Sequence, residues 1–277
     1  MIKRIIVGLG GTPYTPVAIQ RAVGLAKRFE AEITGVTVVD HKNLSKIGPV
    51  PVGGEHAADK LHKHKNVVTK EQIEVVISKF ESACAEDGIK YQVKLEERKN
   101  PFDLMISLAR YHDLMIFGLQ SLFEYGISVE NTKDILVRLV SAGVRPIIAV
   151  SDEFRAIQKV LIAYSGSMES AKTMKRFIQL RLWPDVKIKI VTFQSSEDKA
   201  QRLLFDASEY CRAHGFAVET ESNPGVPKDL LLPMATLWQA DMIVLGNSLR
   251  NLLVKRLFGE TALHIIRNAD RPLFLCQ

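Results

Sequence analysis

A chain of 277 residues is long for one domain and comfortable for two of ordinary size. Its 47% hydrophobic and 25% charged residues describe a globular protein, and no apolar run reaches the roughly 20 residues a membrane helix needs. The net charge of +6 is scattered, which favours weak anion attraction over nucleic-acid binding. Three cysteines, Cys84, Cys211 and Cys276, form no CxxC pair and sit in apolar surroundings. They read as reduced, packed thiols, and the expected compartment is the cytoplasm.

The opening MIKRIIVGLGG has too short an apolar stretch for a signal peptide and reads as a first strand, Ile5–Leu9. Ala18, Ala22, Leu25, Ala26 and Phe29 then recur at spacings of three and four, which predicts a helix. A strand over Glu32–Val39 follows, and after Asp40 comes a polar insertion over about residues 41–68. Asp59, His62 and His64 within it are conceivable metal donors, but zinc patterns use tighter paired spacing with cysteines. A solvated, partly helical loop is the preferred reading of that stretch. Next come a helix over Lys70–Glu86, a strand over Lys90–Leu95, a short helix over Phe102–Tyr111 and a strand over Leu114–Phe117. A helix ending near Ala142 precedes the last strand of this half, Pro146–Val150.

The same order then recurs. Cys84–Val93 matches Cys211–Glu219 at an offset of 127, each a helix end, a glycine cap and a strand start. His112–Gly118 matches Ala240–Gly246 at 128, Arg145–Val150 matches Arg271–Cys276 at 126, and Ile5–Thr12 matches Val160–Ser167 at 155. The larger last offset assigns the first half about 28 extra residues, the size of the insertion. The chain is a duplicated domain, with halves at 1–152 and 157–277. Apolar strands alternating with helices imply, in each half, a doubly wound α/β sandwich around a parallel sheet. Ligands of such sheets sit beyond the carboxyl ends of the strands. That directs attention to Ser165, Gly166 and Ser167 after the first strand of the second half, and to Gly246 and Asn247 after its fourth. Glycines there let backbone N–H groups approach phosphate, and a helix N-terminus adds its dipole.

With VLIAYSGS, ADMIVLGN and a glycine-to-glycine spacing that ends in RNADRPLFL, the sequence resembles the universal stress protein family in its tandem form. The resemblance implies a fold like that of the adenine-nucleotide α-hydrolases. It also implies an ATP or other adenine-nucleotide site of the form Gly-x-x-Gly, nine residues, then Gly-Ser or Gly-Thr, with an Asp at the end of the first strand. The second half keeps the first and third glycines, Gly246 and Gly259. It carries Leu249 at the second, Glu260 at the hydroxyl position with Thr261 one place late, and Ser165 at the Asp position. The first half departs further, with Gly10 at the Asp position, Ser121 at the second glycine and Lys133-Asp134 at the end. Leu249 adds a side chain where backbone must approach phosphate, and the Glu260 carboxylate repels phosphate or occupies its place.

The expected function is therefore a non-catalytic stress-response binding or regulatory protein, with a largely degenerate nucleotide site retained best in the second half. Weak nucleotide hydrolysis is one alternative. Another rests on Ser165-Gly-Ser-Met-Glu-Ser170, which resembles the phosphate loop of adenylating ATP pyrophosphatases with two substitutions. A third makes the chain an interaction module that binds an unidentified protein through residues 41–67. Members of the family dimerise through their last strand. The tandem chain is expected to satisfy that pairing internally, Pro146–Val150 beside Leu273–Cys276, as an intramolecular pseudo-dimer able to form a homodimer in turn.

Overall fold

A computed structural model of the chain describes residues 1–38, 55–96, 101–119, 146–246 and 260–276. Its contacts gather into two compact units, Ile2–Ile135 and Leu136–Gln277.

In the first unit β1 (Arg4–Gly8), β2 (Glu32–Val38), β3 (Tyr91–Glu96) and β4 (Leu114–Gly118) form a parallel sheet in the order β3-β2-β1-β4. The order reverses between β1 and β4, which is the switch point of a doubly wound sheet. Helix α1 (Thr15–Phe29) follows β1, with a proline in its first turn and Val17, Ala18, Ala22, Leu25 and Ala26 buried. It stops at Glu30, whose left-handed φ of 51° turns the chain into β2. Helix α2 runs unbroken over Glu55–Glu86, so the insertion's second part is helical, beyond the partly helical loop read from the sequence. From Glu55 onward that stretch contains neither glycine nor proline, so no helix breaker interrupts it. Its packed end is amphipathic, with Ile73, Phe80 and Cys84 buried. Helix α3 (Pro101–Ala109) leads into β4.

In the second unit β5 (Ile147–Val150), β6 (Lys159–Ala163), β7 (Lys187–Phe193), β8 (Ala217–Asn223), β9 (Met242–Gly246) and β10 (Leu273–Cys276) take the order β5-β10-β9-β6-β7-β8. All pairs are parallel except β5 with β10, where Leu273, Phe274 and Leu275 lie antiparallel to Ala149, Ile148 and Ile147. The pairing of final strands that the resemblance implies is present. It also explains why the compact units divide ahead of the repeat boundary: the last strand of the first half packs with the second. Helices α4 (Met168–Leu180), α5 (Glu197–Ala213), α6 (Pro227–Leu237) and α7 (Glu260–Asn268) connect the strands. Ser167 and Ser196 cap α4 and α5 by accepting from Ser170 N and Lys199 N. The core stacks Phe177 of α4 edge-on against Phe274 of β10, ring centres 5.3 Å apart.

The duplication is visible in matched contacts. After α2, Ile89 N donates to Cys84 O, and after α5, Phe216 N donates to Cys211 O, around Gly88 and Gly215 at φ of +63° and +86°. Asp113 Oδ2 accepts from Lys3 N and Arg4 N at 2.8 and 3.0 Å, and Asp241 Oδ2 accepts from Gln158 N and Lys159 N at 2.9 and 2.8 Å. In each half this carboxylate ties the start of the fourth strand to the start of the first. The outermost strands depart from the apolar pattern. β3 and β8 are half-open along most of their length, while β4, β5 and β10 are buried throughout.

Candidate functional site

The carboxyl end of β6 opens into Tyr164, Ser165 and Gly166 before the cap of α4 at Ser167. Gly166 is required twice over. Its φ is +76°, and a Cβ there would lie 2.6 Å from Leu203 Cδ2 of α5. The turn gathers three hydroxyls: Ser165 Oγ is 3.0 Å from Ser167 Oγ and 3.2 Å from Ser170 Oγ, and the last two are 3.3 Å apart. One consistent arrangement uses every hydroxyl proton. Ser165 donates to Ser167, Ser167 to Ser170, and Ser170 to Ser167 O at 2.9 Å. Ser165 Oγ and Ser167 Oγ also accept from Ser167 N and Ser170 N. In that arrangement the cluster satisfies itself and part of the first turn of α4.

Strand β9 lies beside β6, with Ala163 opposite Leu245. Gly246 follows, and a Cβ on it would meet Ser170 Cα at 2.8 Å and Glu169 O and Ser170 N at 3.1 Å. These are backbone atoms, so the missing side chain at Gly246 lets the first turn of α4 seat on the strand end. Further along α4, the buried Thr173 hydroxyl lies 2.9 Å from both Glu169 O and Cys276 O, linking the helix to β10. Ser165, Gly166, Ser167 and Gly246 are therefore brought together around Ser170. The last was absent from the expected site, although Ser167-x-x-Ser170 has the spacing of an N-terminal capping pair. Asn247 and Gly259 lie outside the described residues, as does Leu249. Glu260, exposed, and Thr261, half-buried, are the first residues of α7, and the described contacts do not join them to the serine loop.

The first half repeats the loop in reduced form. Gly11 has φ +69°, Thr12 N donates to Thr15 Oγ1 at 3.1 Å, and the two threonine hydroxyls are 3.3 Å apart. Gly10 supplies no hydroxyl where the second half has Ser165. Gly8, at the end of β1, is covered by Phe117, whose Cδ1 would be 2.6 Å from a Cβ there. At the matching positions the second half pairs Ala163 with Leu245, a larger residue against a smaller one. Leu9 and Phe80 fill the space over Gly35 in the same way.

Among the described residues no group of His, Cys, Asp and Glu could hold a metal, and the side chains of Asp59, His62 and His64 lie outside them. All three cysteines are buried and none is in a disulfide, and burial pushes the Cys84 and Cys211 thiols up to about 11 and about 12. They are packing groups, not nucleophiles. Burial, with Asp206 and Cys211 nearby, raises the Tyr164 phenol. A cavity of about 620 Å³ lies at the amino ends of the first unit's strands. It is lined by Lys3, Arg4, Lys27, Glu30, Glu32 and Asp87, which pair with one another. It is at the wrong end of the sheet for a switch-point ligand. No helix among the described residues is long and apolar enough to cross a membrane.

No curated protein matches the sequence. Among solved structures, a universal stress protein from Archaeoglobus fulgidus DSM 4304 is 18% identical, with a TM-score of 0.67 over 99% of this chain and 96% of that one. That likeness is one of fold. A universal stress protein in complex with cAMP is 24% identical, with a TM-score of 0.40 over 44% of this chain and 98% of that one. A universal stress protein family protein from Arabidopsis thaliana with AMP bound is 19% identical, with a TM-score of 0.36 over 43% and 90%. The sequence model of the Universal stress protein family matches residues 1–114 and 193–277, well over half of the chain. With the doubled sandwich, the matched strand-start carboxylates and this match, the chain belongs to the universal stress protein family.

Proposed function

We propose that the chain is a non-catalytic regulatory member of its family whose adenine-nucleotide site is degenerate, with what remains of it in the second half. The closed hydroxyl cluster at the head of α4 carries the reading. Ser165, Ser167 and Ser170 spend their protons on one another and on Ser167 O, where a nucleotide site would offer them to the ligand. Glu260 at the head of α7 supports it, because a carboxylate there takes the favourable end of the helix dipole and opposes a phosphate. The first half is the poorer of the two, with Gly10 in place of a hydroxyl and Phe117 packed over Gly8. Among the described residues no group of His, Cys, Asp and Glu could hold a metal ion for hydrolysis, which supports a binding role over an enzymatic one.

Calorimetric titration of ATP, AMP and cAMP into the wild type and Glu260→Ser tests this. The expected result is no saturation of the wild type below ~1 mM and at least ~10-fold tighter binding by the variant. Micromolar binding of any of the three by the wild type would overturn the degenerate site. Steady phosphate or pyrophosphate release from ATP would overturn the non-catalytic assignment.

A further inference from the structure

We propose that the outer edge of β3 is a homodimer contact, in which two copies pair their β3 strands antiparallel about a two-fold axis through Val93. Among the described residues only β2 is hydrogen-bonded to β3. One bond sets the direction of its backbone groups: Ile33 N donates to Lys90 O at 2.9 Å. In a parallel ladder Lys90, Gln92, Lys94 and Glu96 then face β2, and Tyr91, Val93 and Leu95 turn their N–H and C=O groups outward. The side chains of those three share a face as well. Tyr91 meets Phe80 of α2 edge-on at 5.6 Å, yet it stays 40% exposed, and Leu95 is 49% exposed.

Folded proteins ordinarily guard an edge that offers open backbone beside large apolar side chains. The equivalent edge of the second unit is guarded. There Val218, Thr220 and Ser222 take the places of Tyr91, Val93 and Leu95, and Glu219 and Glu221 of the other face are held by Lys189 at 3.7 and 3.0 Å. The two edges occupy the same place in the repeat, so the difference belongs to the sequence of β3 itself.

That sequence is complementary to its own reverse. An antiparallel pair centred on Val93 sets Tyr91 opposite Leu95, Gln92 opposite Lys94, and Lys90 opposite Glu96, each twice by symmetry. Every outward backbone group gains a partner, the apolar side chains meet on one face, and the only charges opposed are of unlike sign. Neighbouring registers lose this: centring on Gln92 sets Lys90 against Lys94, and centring on Lys94 sets Lys94 against itself. A two-fold axis normal to the sheet also keeps α2 of both copies on the same face, over the joined apolar strip.

Sedimentation equilibrium on the wild type, Val93→Pro and Leu95→Lys tests the contact. Because the Val93 N–H points away from β2, proline there removes a bond of the edge and none of the fold. At ~50 µM the wild type should sediment as a dimer, and both variants at the 31.0 kDa of one chain with unchanged circular dichroism. Amide exchange at position 95 should speed up about 10-fold or more in both variants, and at Val93 in Leu95→Lys, while Gln92 and Lys94 keep their protection. A monomeric wild type at that concentration, or a dimer that survives Leu95→Lys, would overturn the proposal. Should Val93→Pro fail to fold, Leu95→Lys alone decides it.

Discussion

Acidification should loosen the first unit through one side chain. His112 is 8% exposed, and its ring is held at both nitrogens. Nδ1–H donates to Leu108 O at 2.7 Å, and Nε2 accepts from the Thr34 hydroxyl at 3.0 Å. That hydroxyl in turn accepts from the Gln92 amide at 3.0 Å. The bond to Leu108 O, a group that can only accept, assigns the neutral tautomer. Burial lowers the His112 pKa; the bond to Leu108 O opposes this, and Arg4 and Lys94 add to it against Glu32. The sign follows directly. With the folded pKa below the unfolded value of about 6.5, the unfolded chain takes up the proton first as pH falls. The contribution of His112 is present above the unfolded pKa of about 6.5 and is lost as pH falls below it, at no more than ~1.4 kcal/mol per pH unit. The loss levels off once the folded imidazole is itself protonated. Both tryptophans, Trp183 and Trp238, belong to the other unit, so tryptophan fluorescence would report the wrong part of the chain. Hydrogen exchange of peptides covering β2 and β3, corrected for intrinsic rates, is the suitable readout, with His112→Gln as a non-titrating reference. Protection in the wild type should fall more steeply than in His112→Gln between pH 7 and pH 5. Equal slopes in the two proteins, or protection rising in acid, would refute the reasoning.

Other consequences can be measured in the same way. Asp113→Ala and Asp241→Ala each strip the shared acceptor from two strand-start N–H groups. Water replaces part of the bond, so each should cost its own unit about 1–2 kcal/mol. Urea titration by tryptophan fluorescence reads the second, hydrogen exchange the first, and no loss in either would deny the repeated carboxylate its role. Gly246→Ala puts a methyl 2.8 Å from Ser170 Cα, and backbone cannot yield as a side-chain tip can. It should destabilise the second unit by about 1–3 kcal/mol, again by tryptophan fluorescence in urea, and a neutral result would mean that α4 is not seated there.

Much of the architecture was legible because it is written in local pattern. Cys84 to Gly88 and Cys211 to Gly215 read as helix end, cap and strand start, and both are built with the same backbone bonds. The matching Arg-Pro runs marked the final strands of the two halves; the family resemblance implied that Pro146–Val150 lies beside Leu273–Cys276, and that pair is formed. The helical part of the insertion was harder to read. Before Ile73 the stretch from Glu55 has no regular apolar stripe, and periodicity detects only helices that bury one. Of the serine loop, Ser165, Gly166, Ser167 and Gly246 stand among the expected site residues, while Ser170 enters the sequence reading only as the end of the pyrophosphatase-like run.

Sequence alone determined the duplication, the alternation of strands and helices, and the glycines and hydroxyls at the strand ends, since each depends on residues a few positions apart. Tertiary structure decided what those groups face. A sequence cannot say that the neighbour of Gly246 is the backbone of α4, or that the neighbour of Gly8 is the ring of Phe117, because those atoms come from distant parts of the chain. Nor can it say which strand stands at a sheet's edge. Tyr91 and Leu95 look like core residues in the alternation of β3, and only the order of the strands leaves them in the open.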